Sequence, residues 1–423
     1  MIAVLLLLLL VGVPVGVAFS LAILLFAKQW HTPLEFVAQT TMDTLLNYPY
    51  LAIPLFILGG ELMSRGGITR QLVDFSSRML GWSKASMGHV MIMASAFMGA
   101  ITGSSVAAVA AIGRAIGPEL IARGYRRGYV GALNAASGLL GVLIPPSIPL
   151  ILYGSAVGVS ITNLFLATLL PGLLFTVGFM LMHANRSRHV LTDGRELIPA
   201  AEENLHVGGR GHWLQVGAAL FMPILVLGGI YSGTFTATEA AAIAAIYALI
   251  FALLTRSVNF NGFGESIVRA GASAAAILFV IGFTAVFNRA LVLEQIPQHI
   301  ASLAIAHISS PLMFLLVVNV ILLVVGMFME TSAAVLLMGP LLAPAAVQYG
   351  IDLIHFGIIV VVNIEIGLLT PPLAANLYVA SLVNRVPLLP LIREVSWFVG
   401  VCLICLMLVT YIPQIALWYR VLG

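Results

Sequence analysis

The sequence predicts an all-α polytopic membrane protein built as inverted repeats, with two re-entrant helical hairpins and two broken helices. Three observations carry this. Of 423 residues, 61% are hydrophobic and only 8% charged, whereas a soluble domain typically carries about 25% charged residues. Apolar runs of crossing length recur along the chain. A Gly-x-x-x-Pro-Pro segment with its polar forerunner occurs twice.

A spanning helix needs roughly 20 apolar residues, because the hydrocarbon layer is about 30 Å thick. Such runs lie near 2–27, 45–64, 128–160, 164–184, 213–232, 235–255, 269–292, 356–381 and 396–420. The first is apolar from its start, without a basic n-region or an A-x-A site, and reads as a retained span. Two further stretches, 86–121 and 311–346, carry Thr102-Gly103-Ser104-Ser105 and Glu330-Thr331-Ser332 near their middles. Polar breaks at that depth suit paired half-helices, since irregular backbone there must be enclosed by protein or line a cavity. Stretches 65–85 and 293–307 have helical spacing with charge on one side and read as interfacial helices. The polar segment 183–212 reads as a cytoplasmic linker.

With a cytoplasmic N-terminus and both interrupted stretches re-entrant, sixteen of the nineteen Lys and Arg fall on the cytoplasmic side. Only Lys28, Arg289 and Arg420 fall outside, as the positive-inside rule requires. The C-terminus is then periplasmic. The net charge of +3 gives no reason to expect a nucleic-acid partner. Cys402 and Cys405 lie in an apolar run without a third metal ligand nearby and read as packed small residues.

The halves repeat one another. Gly141-Val-Leu-Ile144-Pro145-Pro146 matches Gly367-Leu-Leu-Thr370-Pro371-Pro372, and the polar breaks precede the Pro pairs by 40 and 39 residues. The chain divides into a first repeat over 1–163, a segment 164–232 ending in a connecting span, and a second repeat over 233–423. The hairpins are 86–121 and 311–346, and the broken helices 128–160 and 356–381. Because the first unit begins inside and the second outside, the repeats are inverted, which points to a secondary transporter with its site at the midplane.

A Pro pair removes backbone donors and frees carbonyls of the preceding turn. Those carbonyls, with tip hydroxyls, suit a hard monovalent cation, Na⁺ before a proton. Each tip also starts a half-helix whose N–H groups favour an anion. Among acids, Glu239 in Thr236-Ala-Thr-Glu fits a capping box and Glu330 sits at the second tip. Glu365 reads either as a buried hydrogen-bond partner or as a proton carrier. Asn376 follows the second Pro pair at helical spacing and is expected to face substrate, as are Ser105 and Glu330. Asn134 and Asn363 read as interhelical glue.

These residues resemble the large membrane subunit of the tripartite ATP-independent periplasmic (TRAP) transporters over essentially the whole chain. The carriers are Gly12-Val-Pro14, Ala52-Ile-Pro54-Leu-Phe56-Ile-Leu-Gly59, Thr102-Gly-Ser-Ser105, Leu143-Ile-Pro-Pro-Ser147, Gly233-Thr-Phe-Thr-Ala-Thr-Glu-Ala240, His355-Phe-Gly357, Pro371-Pro372 and Asn376-Leu-Tyr378. The resemblance implies an elevator mechanism in the bacterial inner membrane, with no cofactor and sodium as coupling ion. It implies one sodium site at Gly103, Ser104, Gly141, Ile144 and Pro146, and a second at Thr331, Ser332, Gly367, Thr370 and Pro372. It further implies a small membrane subunit of about four helices, a periplasmic binding protein, and a cargo such as a C4-dicarboxylate or sialic acid. Thr236-Ala-Thr-Glu-Ala departs from the Thr-Pro-Thr-Glu-Ala common in the family, at a helix start. The rival readings are a stand-alone sodium–dicarboxylate symporter, disfavoured by tips lacking Ser-Asn-Thr, a pure scaffold subunit, and an intramembrane serine enzyme at Ser104 or Ser105. The enzyme is disfavoured because no Gly-x-Ser-Gly occurs there and the one His at a plausible pairing depth, His89, is near a membrane face.

Overall fold

The computed structural model describes residues 4–5, 7–8, 11–27, 34–82, 85–191, 210–255 and 260–420. Lys28, Lys84, Arg195 and Arg256, and most of the 183–212 linker, lie outside the described residues. Regular structure among those described is helical, with one isolated bridge between Tyr125 and Leu191. Among the described residues seven helices are long and apolar enough to cross a membrane, or up to nine if each of two bent pairs counts as one span.

In chain order the helices are α1 Val15–Ala27, α2 Leu34–Leu45, α3 Ala52–Arg65, α4 Ile68–Leu80, α5 Ser86–Thr102 and α6 Ser105–Ala122. Then come α7 Arg127–Gly138, continued by Leu140–Leu143, α8 Ile148–Val157, α9 Ile161–Arg186 and α10 Arg210–Tyr231. The second half holds α11 Ala237–Leu254, α12 Phe260–Leu293, α13 Ile296–His307, α14 Pro311–Phe328, α15 Thr331–Gln348, α16 Leu353–Gly367, α17 Ala375–Asn384 and α18 Leu388–Tyr411. The order α4, hairpin α5–α6, broken helix α7–α8, α9 recurs as α13, hairpin α14–α15, broken helix α16–α17, α18.

Two expected spans differ in extent. The run placed at 45–64 is preceded by α2, and the two segments meet at a 64° bend. α2 carries Glu35, Gln39, Thr40, Thr41 and Asp43, which lower its hydropathy although its spacing is helical. The span placed at 269–292 extends back to Phe260, giving 34 residues and a length of about 51 Å.

α3 lies against α11 and α12, and α12 also contacts α1 and α2. The second group is formed by both hairpins and both broken helices with α9 and α18. Within it the packing is exchanged between halves: α8 lies on α15 and α17 lies on α6. Such reciprocity is expected of two units related by a pseudo-twofold axis. The groups meet where α12 touches α15 and α3 touches α5.

Close backbone approach holds each hairpin to its broken helix. A Cβ on Gly99 would come within 2.7 Å of the Gly141 Cα, and one on Gly326 within 2.8 Å of the Ile364 carbonyl and 3.2 Å of the Gly367 Cα. No side chain fits at either position without displacing main chain.

Polar side chains fasten the rest. The Asn134 amide donates to the Val109 carbonyl at 3.1 Å. Asn363 donates to Asn319, and Asn319 to Thr410 Oγ1 at 3.1 Å, joining α16, α14 and α18. Both fulfil the interhelical role read from sequence. Thr236 and Glu239 form the expected capping box at the start of α11. Cys402 and Cys405 are buried free thiols.

Ion pairs join helix ends that the charge distribution puts on a common side. Arg65 meets Glu265 at 3.0 Å and Arg186 meets Glu394 at 2.9 Å. At the opposite end, Arg420 meets Asp352 at 2.9 Å. Partial burial would raise the Asp352 carboxyl, but the His355 N–H, Arg420 and the Ile354 N–H outweigh it and hold the group below its ordinary range.

Gly99→Val and Gly326→Val should each sharply lower the yield of monodisperse protein in size-exclusion chromatography. Gly271→Ala, where an added Cβ meets nothing within 4 Å, should leave it unchanged.

Candidate functional site

The first tip is made by Gly103 and Ser104. Gly103 ends α5 at φ +61°, a left-handed conformation that favours glycine, and Ser104 then extends the chain and caps α6. Its hydroxyl accepts from the Ala107 N–H at 3.4 Å. The broken helix closes over this tip. Ile148 N–H donates to the Gly103 carbonyl at 3.3 Å. A Cβ on Gly103 would stand 2.8 Å from the Pro146 carbonyl oxygen, and one on Gly141 would stand 2.7 Å from that of Ser104. Gly103, Ser104, Gly141 and Pro146, called from the sequence, therefore share one small volume crowded with carbonyl oxygens. Ile144 leaves helical geometry just before the cis Pro145-Pro146 bond, with its side chain toward Gly172.

The second tip has the same frame and different chemistry. Met329 and Glu330 separate α14 from α15, and Glu330 is the cap. Its carboxylate accepts from the Ser332 N–H at 2.9 Å, the Ser332 hydroxyl at 2.9 Å and the Ala333 N–H at 3.4 Å. Leu373 N–H donates to the Met327 carbonyl at 2.9 Å, just past the cis Pro371-Pro372 bond. Thr331 and Ser332 are buried, as is Gly367 against Gly326. Thr370 donates its N–H to the Gly367 carbonyl at 2.9 Å, and Pro372 is exposed. By position within the tip, Ser104 corresponds to Glu330 and Ser105 to Thr331.

Glu365 joins this site. The Thr331 hydroxyl donates to its Oε1 at 2.8 Å, and the residue is completely buried. Ser105, on the first tip, faces the same carboxylate. Both hairpins therefore meet at one acid. The three residues expected to face substrate are placed differently. Glu330 is exposed, Ser105 is buried under the first tip, and Asn376 is fully buried with both amide atoms lacking a partner.

Two cavities separate the tip-bearing group from the α3–α12 group. One, of about 590 Å³, is lined by Asp43, Asn47, Tyr50, Asn288, Arg289 and Leu336. The other, of about 370 Å³, is lined by Glu61, Thr102, Ser104, Arg114, Arg269 and Ser273, so it reaches the first tip. Each holds arginine, a bidentate donor to carboxylate. Gly99, Gly326 and the lining arginines were not singled out from sequence. The near-equal separations Gly99–Gly141 and Gly326–Gly367 could have exposed the glycines.

No group of three or more His, Cys, Asp or Glu residues that could hold a metal ion occurs among the described residues. His89, the imidazole weighed against a serine nucleophile, bonds instead to the Met180 carbonyl at 3.1 Å. Paired capped tips on broken helices, in an apolar helical bundle with a polar centre, define a membrane carrier rather than an enzyme. The sequence family described as tripartite ATP-independent periplasmic transporter, DctM component, matches residues 2–415, and the chain belongs to it.

Relatives agree. The chain is 37% identical to the C4-dicarboxylate TRAP transporter large permease protein DctM of Pseudomonas aeruginosa, over 95% of this chain and 92% of that one. It is 34% identical to the sialic acid TRAP transporter large permease protein SiaM of Vibrio cholerae, over 97% and 95%. It is 35% identical to the isethionate TRAP transporter permease protein DctMQ of Oleidesulfovibrio alaskensis, covering 97% of this chain but 64% of that longer protein. The YdaH transporter of Alcanivorax borkumensis, whose crystal structure is described as having an unusual topology, superposes with a TM-score of 0.68. It matches 92% of this chain and 89% of its own at 16% identity, a likeness of fold alone.

Glu330→Ala should cost about 1 kcal/mol, the usual loss for a helix cap. Thermal unfolding should show a lowered midpoint for Glu330→Ala and a near-normal one for Glu330→Asp, which keeps the carboxylate acceptor.

Proposed function

We propose that the chain is the large membrane subunit of a sodium-coupled importer of a small organic anion in the bacterial inner membrane. The N-terminus is cytoplasmic and the C-terminus periplasmic. The observation that carries the reading is the duplicated tip, in which a hairpin turn rich in main-chain oxygen lies against a Pro-Pro break at membrane depth. Carbonyl oxygens without full internal partners there serve a hard cation, and the N-terminal turns of α6 and α15 favour an anion. In this reading sodium is held at Gly103, Ser104, Gly141, Ile144 and Pro146, and again at Thr331, Ser332, Gly367, Thr370 and Pro372.

The cargo is a carboxylate or a chemically related acid. The named cargoes of the relatives, a C4-dicarboxylate, sialic acid and isethionate, are all organic anions. Arg289 in one cavity and Arg114 and Arg269 in the other supply matching charge. Transport would proceed by movement of the hairpins and broken helices, as one body, against the α1–α3 and α10–α12 group. A small membrane subunit and a periplasmic binding protein complete the system. The fused name DctMQ of one relative, longer than this chain, is consistent with a second membrane component.

The first test is thermal stability of the purified chain in NaCl against choline chloride at equal ionic strength. A ligand at a hundredfold excess over Kd stabilises by about 2.7 kcal/mol. Sodium should raise the midpoint selectively, and Ser104→Ala and Thr331→Ala should each reduce that rise, measured from each variant's own midpoint in choline. Identical curves in both salts would remove sodium from the proposal. In proteoliposomes, uptake should require the two partner proteins as well as sodium. Uptake by this chain alone would instead favour a stand-alone symporter.

A further inference from the structure

We propose that the cytoplasmic end of the seam between α9 and α18 binds an anionic phospholipid, its phosphate held by Arg188 and Arg393 and its acyl chains laid along the outer faces of the two helices. α9 and α18 are in contact. A Cβ on Gly178 would stand 2.9 Å from Val401 Cγ1 and 3.3 Å from Cys405 Sγ. Eight residues further along α9, Arg186 meets Glu394 at 2.9 Å. Numbers rise along one helix as they fall along the other, so the two run antiparallel and their outward faces lie side by side.

Those faces share one order of polarity. On α18, Arg393, Trp397, Gly400, Ile404 and Leu408 recur at helical spacing and are all exposed. Trp397 is 51% and Ile404 64% exposed. On α9, Leu173, Val177 and Leu181 are exposed, and Arg188 is exposed just past the helix end. From the cytoplasmic end inward, the seam therefore shows guanidinium, then an indole, then aliphatic side chains. A phospholipid presents phosphate, glycerol ester and hydrocarbon in the same order, and tryptophan favours the level of the headgroups.

The charge at this end is concentrated and unbalanced. Arg126 donates its N–H to the Val190 carbonyl at 2.9 Å, which sets it beside the Arg188 segment. Arg127 precedes Gly128, where a Cβ would stand 3.0 Å from Pro390 Cβ, one turn before Arg393. Among the described residues Arg126, Arg127, Arg188 and Arg393 have no acidic partner. The carboxylate in the group, Glu394, is taken by Arg186, whose guanidinium also lies 4.5 Å from the centre of the Trp397 ring. Arg186 Nε is buried and unpartnered, which leaves an N–H for a further acceptor. Guanidinium groups match phosphate oxygens in pairs, and basic pockets between membrane helices on the cytoplasmic side suit anionic headgroups.

The apolar part of the seam selects the lipid over other anions. Free phosphate or an acidic peptide would use the arginines and leave Val177, Trp397 and Ile404 without a role. If transport proceeds by the movement proposed above, α9 and α18 belong to the moving body. A headgroup bound there resists displacement of that body away from the cytoplasmic leaflet.

The test uses the purified full chain in neutral-detergent micelles, titrated with brominated phosphatidylglycerol or brominated phosphatidylcholine. Bromine quenches nearby indole, and the difference between wild type and Trp397→Phe isolates the signal of Trp397. Phosphatidylglycerol should quench it at a lower mole fraction than phosphatidylcholine. Arg188→Gln and Arg393→Gln should each weaken the phosphatidylglycerol response roughly fivefold, the usual worth of one arginine at an anionic membrane surface. Arg70→Gln, which removes an exposed arginine of α4, should leave the response unchanged.

Equal curves for the two lipids would overturn the proposal. If a preference for phosphatidylglycerol then emerged on replacing Asp193, Glu196, Glu202 and Glu203 by their amides, the patch would belong to the linker that follows Leu191. An equal loss in Arg70→Gln would reduce the effect to net charge and overturn it too. A preference erased by inorganic phosphate, but not by chloride at equal ionic strength, would assign the arginines to a soluble anion. A preference lost in complex with the small membrane subunit would make the seam a subunit interface. Quenching needs no sodium, cargo or uptake, so failure here leaves the transport reading standing, and failure of that reading leaves this site intact.

Discussion

A backbone interrupted in hydrocarbon has no water to bond, and every free N–H and C=O must find a partner inside the protein. Among the described residues the helices break at two hairpin turns and two Pro-Pro pairs, besides the bend between α2 and α3. The chain resolves the problem by setting each hairpin turn against a Pro-Pro pair. Ile148 N–H reaches the Gly103 carbonyl, and Leu373 N–H reaches that of Met327. Such contact requires main chain to touch main chain, hence Gly99 on Gly141 and Gly326 on Gly367. Exchange of α8 and α17 between the halves follows the same logic, since each half-helix leaving a break is received by the arm of the opposite hairpin.

Facing the breaks toward each other concentrates main-chain oxygen in two small volumes and leaves some of it with spare bonding capacity. A soluble protein would fill that capacity with water. Under the proposed function that capacity is the place for an ion, so the solution to a folding problem would also supply the chemistry of a coupled carrier. The surrounding polar residues do different work. Asn134, Asn319 and Asn363 donate across helix boundaries, which fixes helix positions, although Asn134 Oδ1 and Asn363 Oδ1 keep no partner.

How legible each part was depended on how local its signal is. Ser104, Gly141, Pro146, Thr331, Gly367 and Pro372 announce themselves because Pro-Pro and polar tips are rare in apolar runs and occur here in duplicate. The α2 helix was missed because Glu35, Gln39 and Asp43 lower its hydropathy, while the packing against α12 that buries Thr40 is tertiary. Gly99 and Gly326 were missed because single glycines are common in membrane helices and only the matching partner distinguishes them. Asn376 was expected to face substrate from its spacing alone. Helical spacing fixes direction around the axis and not what stands opposite, and α6 and α7 stand opposite.

The pseudo-symmetry of the frame makes its chemical asymmetry informative. Six residues before the first Pro of each break stand Leu139 in the first half and Glu365 in the second. At the two caps stand Ser104 and Glu330. At these corresponding positions the second half places two acids, while the first places a leucine and a hydroxyl. Two oxygen frames of similar shape but different charge cannot hold an ion equally well, because attraction to a carboxylate in a low-dielectric interior exceeds that of neutral dipoles. Glu365, one of the two acids, also faces the neutral tip at Ser105. If the two proposed sodium sites are filled in turn, filling the stronger half changes the field at the weaker one, which makes the two electrostatically dependent on one another.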